Sequence, residues 1–291
     1  MIYKILALTD KNTDIAFDYA NRILKAIESK FEREFRFDNV GFAENNKSVI
    51  EKAKASDAVL IFGDINNLLI RELCKELSLH TRVCRIGDST VVTDELSGIY
   101  SGEQGFRSNP KFGREAYDTE CYSELEIERT ARIAYELQNI RSFILSDKAD
   151  ELATSKLWRK IVTDINEDYP YINVELQYVE NTVAELAENN ITGTILTPQI
   201  FSDILINIIK AKSQRQGFSA LLGDTALGAF HMTNANGAQL TPLQCREMLC
   251  AAEFMLRHSF DMQSEADCIK AALAKAAVSD ADFAEKALST I

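Results

Sequence analysis

The chain has 291 residues, 46% of them apolar and 26% charged, which is typical of a globular protein and long enough for two domains. Its 44 acidic side chains outnumber 32 basic ones, and the net charge of −12 argues against nucleic acids and anionic membranes as partners. No apolar run reaches bilayer-spanning length, and residues 1–8 enter a strand pattern without a signal-peptide cleavage site. We therefore expect a cytoplasmic protein.

Cysteine and histidine offer little material for a metal site or a disulfide framework. The six cysteines are widely spaced without a C-x-x-C pair, and the chain has only three histidines. Reduced thiols within helices and strands are expected.

Apolar runs and helical patterns alternate over residues 1–90, as in βαβ units. The predicted elements are strand 3–9, helix 14–30, strand 35–42, helix 47–54, strand 58–62 and helix 66–77. The turn after the first strand has neither the G-x-G-x-x-G nor the G-x-x-x-x-G-K-[ST] pattern, which argues against a standard Rossmann or P-loop nucleotide site. The pattern predicts a parallel or mixed sheet with helices on its faces.

Glycines punctuate residues 97–113, a segment predicted to be a functional or interface loop. The elements predicted after it are helix 119–138, strand 143–145, helix 154–166, strand 172–179, helix 182–189, strand 194–196 and helix 200–212. Residues 217–239 are predicted to be a loop, followed by helices 241–256, 265–277 and 279–288, the last two capped by Ser264 and Ser279. Lys148 follows a predicted strand, where α/β proteins often keep their chemistry, but taken alone it is most simply a solvated lysine.

Five segments, in this order, resemble the β-decarboxylating dehydrogenases, the family of 3-isopropylmalate, isocitrate and tartrate dehydrogenases. They are ELSGIYSG (95–102), AYDTECY (116–122) with EIERTARIAYE (126–136), SDKAD (146–150) with LWR (157–159), FSDIL (201–205) and MLRHSF (255–260). The chain resembles the 3-isopropylmalate branch most, as a divergent and shortened member. The resemblance implies an isopropylmalate-dehydrogenase-like α/β fold: two α/β domains with a mixed, non-Rossmann sheet.

The family's domain organisation, carried onto this chain, implies a first, cofactor-side domain of residues 1–93 plus 221–291. The second domain, 94–220, carries dimerisation and the substrate and metal side, with an arm near 98–118. A homodimer is expected, or a heteromer with an active paralogue.

The implied reaction is a metal-dependent, NAD(P)-linked oxidative decarboxylation of a malate-type 2-hydroxy acid, a small acidic metabolite, with Mg²⁺ or Mn²⁺. The resemblance places the family's lysine, a base or proton relay, at Lys148, and its tyrosine, which protonates the enol carbon, at Tyr100. The metal carboxylates fall on Glu180, Asp203 and Asn207. Glu180 is longer by a methylene and Asn207 is a neutral amide, so the cation should bind more weakly.

The substrate-binding arginines are altered more than the catalytic pair. One becomes Asp94, where a repulsion of about 4 kcal/mol at 4 Å would exclude the usual substrate pose. The other two fall on Arg71 and Arg82 in a shifted alignment and on Cys74 and Cys84 in a gapless one. Both alignments remain open.

The cofactor side departs from the family as well. The glycine-rich opening loop is residues 10–13 here, and the dinucleotide loop survives as His231 through Asn236, with Asn236 at the NAD-selecting aspartate and Met232 at a glycine. Residues 82–91 are shorter than the family's connection, so one strand or helix is expected to be missing.

Two functions follow. One is a working dehydrogenase on a changed acidic substrate. The other is a paralogue with lost or attenuated catalysis that binds a ligand or acts as a regulatory partner subunit, because changes at the metal, substrate and dinucleotide positions occur together.

Overall fold

A computed structural model describes residues 2–9, 14–63, 67–137, 140–188, 192–232, 242–276 and 283–291. The strands are β1 Ile2–Thr9, β2 Glu34–Gly41, β3 Ala58–Ile61, β4 Thr81–Ile86, β5 Ser89–Asp94, β6 Gln104–Asn109, β7 Gly113–Asp118, β8 Ser142–Asp147, β9 Asn173–Tyr178, β10 Gly193–Leu196, β11 Phe218–Leu222 and β12 Ala229–Met232. The helices are α1 Asp14–Phe31, α2 Asn46–Lys54, α3 Asn67–Leu77, α4 Glu124–Glu136, α5 Ala153–Asn166, α6 Val179–Glu188, α7 Gln199–Ser213, α8 Pro242–Ser259, α9 Gln263–Lys275 and α10 Phe283–Leu288.

The chain divides into two compact units, one formed by Met1–Leu79 with Arg215–Ile291 and the other by His80–Gln214. The domain boundary expected after residue 93 falls within β5, and the one expected before residue 221 falls within β11. Within the described ranges, no helix combines the length and the apolar character needed to cross a membrane.

The first unit contains the strand order β2-β1-β3-β12-β11. β1 is parallel to β2 and β3, and β12 is parallel to β3 but antiparallel to β11. Residues Ile5, Leu6, Ala7 and Leu8 of β1 are all fully buried. A parallel strand covered on both faces requires such a continuous apolar run, which explains why β1 was predictable.

The second unit contains the strand order β4-β5-β10-β8-β9, together with a separate antiparallel pair, β6 and β7. β4 and β5 form an antiparallel hairpin whose turn includes Gly87, at φ 61°. The pairs β5–β10, β10–β8 and β8–β9 are parallel. The carboxyl ends of β8 and β9 therefore lie at the same edge of the sheet, beside the starts of α5 and α6.

The predicted α/β fold with a mixed sheet is confirmed, but two predicted loops were wrong. Residues 97–113 contain β6, and residues 217–239 contain β11 and β12. Gly105 lies against Tyr117 across the β6–β7 pair, where an added Cβ would be 2.9 Å from the tyrosine oxygen. The glycine thus leaves room for the Tyr117 ring within a strand, whereas the sequence pattern suggested a loop.

The proposed helix cap at Ser264 was wrong too, because the N-cap residue of α9 is Met262, with no side-chain cap. Ser279 lies outside the described residues.

Candidate active site

Lys148 follows the last residue of β8, and its backbone is fixed on both sides. Its N–H donates to Ser155 Oγ at 3.2 Å, and its carbonyl accepts from the N–H groups of Glu151 and Leu152. The ammonium donates to Asp150 Oδ2 at 2.9 Å and forms an ion pair with Glu180. The structure therefore brings the predicted catalytic lysine and a predicted metal ligand together within one chain.

This pairing determines the protonation state of the cluster. The hydrogen bonds to Glu180 and Asp150 raise the pKa of Lys148 above its usual range. The hydrogen bond from Lys148 in turn lowers the pKa of Glu180 and of Asp150. Lys148 is thus a charged ammonium here, held in that state by Glu180 and Asp150 together.

The ion pair between Asp147 and Arg159 fixes the end of β8 just before Lys148, and it was not predicted from the sequence. Asp147, fully buried at the end of β8, accepts from Arg159 Nε at 2.7 Å and Nη2 at 2.9 Å. Its Oδ1 also accepts from the Ala149 N–H at 2.9 Å, and the Arg159 guanidinium lies 4.7 Å from the Tyr178 ring centroid. The only signal in the sequence was Arg159 in the motif LWR, which gives no partner.

Asp203, on α7, is bonded to a predicted substrate arginine. Arg82 Nη2 donates to Asp203 Oδ1 at 2.8 Å and to Ser202 Oγ at 3.0 Å, while Arg82 Nε lies 3.2 Å from Glu95 Oε2. Burial lowers the pKa of Arg82, but the charges of Glu95 and Asp203 outweigh it and raise the pKa. Asn207 lies one turn beyond Asp203 and is also exposed.

The remaining substrate candidates lie in different surroundings. Arg71 is exposed on α3 of the first unit, whereas Cys74 and Cys84 are fully buried. The two alignments place one substrate-binding arginine at either Arg82 or Cys84. Arg82 contacts another predicted site residue, Asp203, whereas Cys84 is part of the core. Within the described residues, none of the six cysteines forms a disulfide.

Asp94 anchors the loop that follows β5. Its fully buried carboxylate accepts from the N–H groups of Leu96 at 2.9 Å and Ser97 at 2.5 Å, and from Thr130 Oγ1 at 3.2 Å. Arg129 Nη2 lies 3.5 Å away. Burial raises the pKa of Asp94, although the hydrogen bond from Ser97 opposes the rise. The family's arginine position is thus used for internal bonding here, and a role of Asp94 in substrate binding stays a prediction.

Tyr100 lies in the turn between β5 and β6, and 47% of the residue is exposed. Gly98, at φ +81°, opens this turn and packs so closely on the Tyr122 hydroxyl that a Cβ would collide with it. The Gly102 N–H donates to the Gly98 carbonyl at 3.1 Å and closes the turn. The glycines of this motif are therefore required by the backbone that presents Tyr100.

On the cofactor side, His231 lies in β12, in register with Ile61 of β3 and Ser219 of β11. Its Nδ1 is 2.9 Å from the carbonyl oxygen of Met232, which is itself buried. Asn236 and residues 10–13 lie outside the described residues. The predicted roles of His231 and Asn236 stay predictions.

The donor chemistry of the predicted metal site fits a divalent cation. Asp203 and Asn207 are exposed oxygen donors one helical turn apart, and Glu180 adds a second carboxylate. Oxygen donors suit Mg²⁺ and Mn²⁺, but two charges in place of three should weaken the affinity. In the part of the chain that the structure describes, no group of three or more His, Cys, Asp and Glu side chains is placed to hold a metal. A cation bound by these residues would therefore have to separate Asp203 from Arg82 and bring Glu180 closer.

Comparison with known proteins agrees with the arrangement of these motifs. The sequence profile described as isocitrate/isopropylmalate dehydrogenase matches residues 58–290. The chain belongs to this family. The 3-isopropylmalate dehydrogenase of Campylobacter jejuni is 29% identical over 94% of this chain and 89% of its own length. That of Pseudoalteromonas translucida is 32% identical over 74% of this chain and 63% of its own length.

Solved structures support the same fold. A β-decarboxylating dehydrogenase from Thermococcus kodakarensis superposes with a TM-score of 0.82 at 20% identity, covering 99% of this chain and 96% of its own. Isocitrate dehydrogenase from Methylococcus capsulatus gives a TM-score of 0.78 at 17% identity, covering 99% of both chains. The resemblance inferred from the five sequence segments is therefore confirmed at the level of family and fold.

Proposed function

We propose that the protein is a β-decarboxylating dehydrogenase that oxidises a malate-type 2-hydroxy acid with NAD(P) and a divalent cation, Mg²⁺ or Mn²⁺. The observation that carries this proposal is the ion pair of Lys148 with Glu180 at the end of β8. It joins the family's lysine to a carboxylate suited to a metal, and together with Asp150 that carboxylate keeps the lysine charged.

The residues divide the proposed reaction between them. A divalent cation held by Asp203, Asn207 and Glu180 would polarise the hydroxyl oxygen and then the carbonyl oxygen of the substrate. With Glu180 engaged at that cation, Lys148 would keep only Asp150 as a partner, and after releasing its own proton to solvent its free amine would accept the hydroxyl proton. Tyr100 returns a proton to the carbon that loses carbon dioxide.

Arg82 and Arg71 are the proposed carboxylate-binding arginines, since a guanidinium binds a carboxylate through two parallel hydrogen bonds. Arg82 already binds carboxylates from Glu95 and Asp203, so its guanidinium is oriented for this role before a ligand arrives. His231 and Asn236 are proposed to contact the dinucleotide.

A homodimer is part of the proposal. The β6–β7 arm exposes Phe106 by 83% and Phe112 by 70%. Large apolar side chains exposed on a two-stranded arm suit a protein interface. A heteromer with an active paralogue would use the same surface.

A second candidate function is that of a catalytically lost or attenuated paralogue that binds a ligand or regulates a partner subunit. It is favoured by the neutral Asn207 at a metal position and by the pairing of Asp203 with Arg82, which competes with a cation for the same carboxylate.

Turnover assays separate the two candidates. The protein is incubated with NAD or NADP, Mn²⁺ and a panel of malate-type acids, and the near-ultraviolet absorbance of reduced nicotinamide is followed. We expect turnover that Lys148→Ala lowers by about 10²–10⁴-fold, the usual contribution of a positioned acid or base. Lys156→Ala, an exposed lysine on α5, serves as the matched control and should retain turnover.

Absence of turnover, with no thermal stabilisation by either dinucleotide, would contradict the dehydrogenase proposal and favour the partner subunit. Stabilisation by a dinucleotide without turnover would favour a ligand-binding paralogue.

A further inference from the structure

One face of α7 carries a basic residue that the proposed function does not use. Asp203, Asn207 and Lys210 follow one another at the spacing i, i+4 and i+7, which places them on the same side of a helix. Asp203 and Asn207 are exposed, and Lys210 is half-buried. The charged and titratable groups that act on Lys210 are those of Cys84, Arg82 and Asp203, all within the second unit. Lys210 thus borders the proposed metal and substrate residues.

Lys210 has no bonded counter-ion among the described residues. Among the described residues its ammonium makes no hydrogen bond or ion pair, and the nearby Asp203 carboxylate is bonded to Arg82 at 2.8 Å. Burial lowers the pKa of Lys210 and Arg82 acts in the same direction, while Cys84 and Asp203 partly oppose the shift. A half-buried ammonium that makes no ion pair is free to bind an anion beside it, and such an anion would gain a charge-assisted hydrogen bond.

The sequence of α7 explains why the lysine is unpaired. Asn207 precedes Lys210 by three residues, the spacing at which a carboxylate and an ammonium pair along a helix. The amide side chain at 207 carries no charge to neutralise it. On the neighbouring face, Ile206 and Ile209 pack with Cys84 in an apolar cluster, so the helix is held against β4 while the polar face stays open.

We infer that Lys210 binds a carboxylate of the acidic ligand and selects for a ligand that carries two carboxylates. In this arrangement Lys210 supplies a cation to the ligand, while the family's arginine position is taken by Asp94. The inference rests on the proposed function for the class of ligand, an acidic 2-hydroxy acid, but it does not require turnover. An ammonium donating to a carboxylate is among the stronger hydrogen bonds in proteins, so removing it should weaken binding measurably.

The test is a calorimetric titration with L-malate, without divalent cation or dinucleotide. We expect Lys210→Met to weaken malate binding about tenfold or more, the effect of losing one charge-assisted hydrogen bond. Lys210→Arg keeps the charge and should retain most of the affinity, which also controls for folding. Lys212→Met is the matched control: it removes the same charge from the same helix, where Lys212 donates to the Ala187 carbonyl at 2.7 Å, and malate binding should be unchanged.

Two further titrations identify the chemical group that Lys210 binds. With 2-hydroxybutanoate, which has one carboxylate, wild type and Lys210→Met should bind alike. Asn207→Asp should weaken malate binding without metal, because the new carboxylate pairs with Lys210, and should strengthen Mn²⁺ binding.

The inference is overturned if wild type does not bind malate, if Lys210→Met binds it as wild type does, or if Lys212→Met weakens binding as much as Lys210→Met. Malate binding that depends on Lys210, without turnover of any acid in the panel, supports the inference and contradicts the proposed dehydrogenase. Turnover of a panel acid with the same KM in wild type and Lys210→Met supports the proposed dehydrogenase and contradicts the role of Lys210.

Discussion

Four carboxylates at strand ends and on helices of the second unit differ sharply in burial. Asp94 and Asp147 are fully buried, whereas the side chains of Glu180 and Asp203 are 56% and 54% exposed. The buried pair accept hydrogen bonds from backbone N–H groups of the residues that follow them. The exposed pair form ion pairs with Lys148 and Arg82. The same chemical group therefore serves two purposes in neighbouring positions.

This difference separates the residues that build the site from those available for chemistry. Breaking a buried pair leaves a charge without water or a partner, so such a pair holds its strand end in one geometry. An exposed pair exchanges its partner for water or a ligand at little cost. Glu180 and Asp203 can therefore be taken over by a cation or a substrate, while Asp94 and Asp147 keep the loops in place.

The largest expected effect comes from breaking a buried pair. Arg159→Met leaves Asp147 buried without its arginine, and we expect the free energy of unfolding in urea to fall by about 3–5 kcal/mol. Arg132→Met removes an arginine from exposed ion pairs with Glu128 and Asp168 and should cost less than about 1 kcal/mol. Equal losses in the two variants would remove the distinction between buried and exposed pairs.

A loss of similar size is expected at the other buried carboxylate. Asp94→Arg restores the family's residue, but it places a longer side chain in a filled site among the Leu96 and Ser97 N–H groups. We expect the free energy of unfolding to fall by about 3–5 kcal/mol, because the guanidinium would be a buried charge facing N–H donors and Arg129, with no gain in malate affinity. Urea unfolding and calorimetric titration measure the two quantities. A stable variant that binds malate more tightly would show that position 94 faces the ligand.

The smallest effect is expected at an exposed pair, and it depends on pH. Lys148 lowers the pKa of Glu180, so the stabilisation from the pair is present above the ordinary glutamate pKa and is lost as pH falls through the lowered value. Glu180 and Asp150 raise the pKa of Lys148, so the stabilisation is present below the ordinary lysine pKa and is lost as pH rises through the raised value.

The melting temperatures of wild type and Glu180→Gln should therefore differ by a small, constant amount between about pH 5 and 10, using ordinary pKa values near 4.3 and 10.4. The difference should disappear in more acidic solution. A difference that grew on acidification would mean that the pair does not form as described.

The alternation of strands and helices and the five family segments were readable from the sequence, because continuous apolar runs such as that of β1 and short motifs around Lys148 are local properties. The short strands β4, β5, β11 and β12 could not be predicted from the sequence. Each has four to six residues, largely buried, without the alternation that marks a half-exposed strand. Their pairing depends on partners elsewhere in the chain, as β12 pairs with β3.

At the site, the sequence by itself determined which side chains are available: a lysine after β8, carboxylates at 180 and 203, an amide at 207 and an aspartate at 94. Only the tertiary structure decided their partners. Lys148 meets Glu180 because parallel β8 and β9 bring their carboxyl ends to one edge, and Asp94 is buried because α4 covers the end of β5. Burial and charge pairing depend on contacts between distant segments, and these decide which carboxylate anchors a loop and which can meet a ligand.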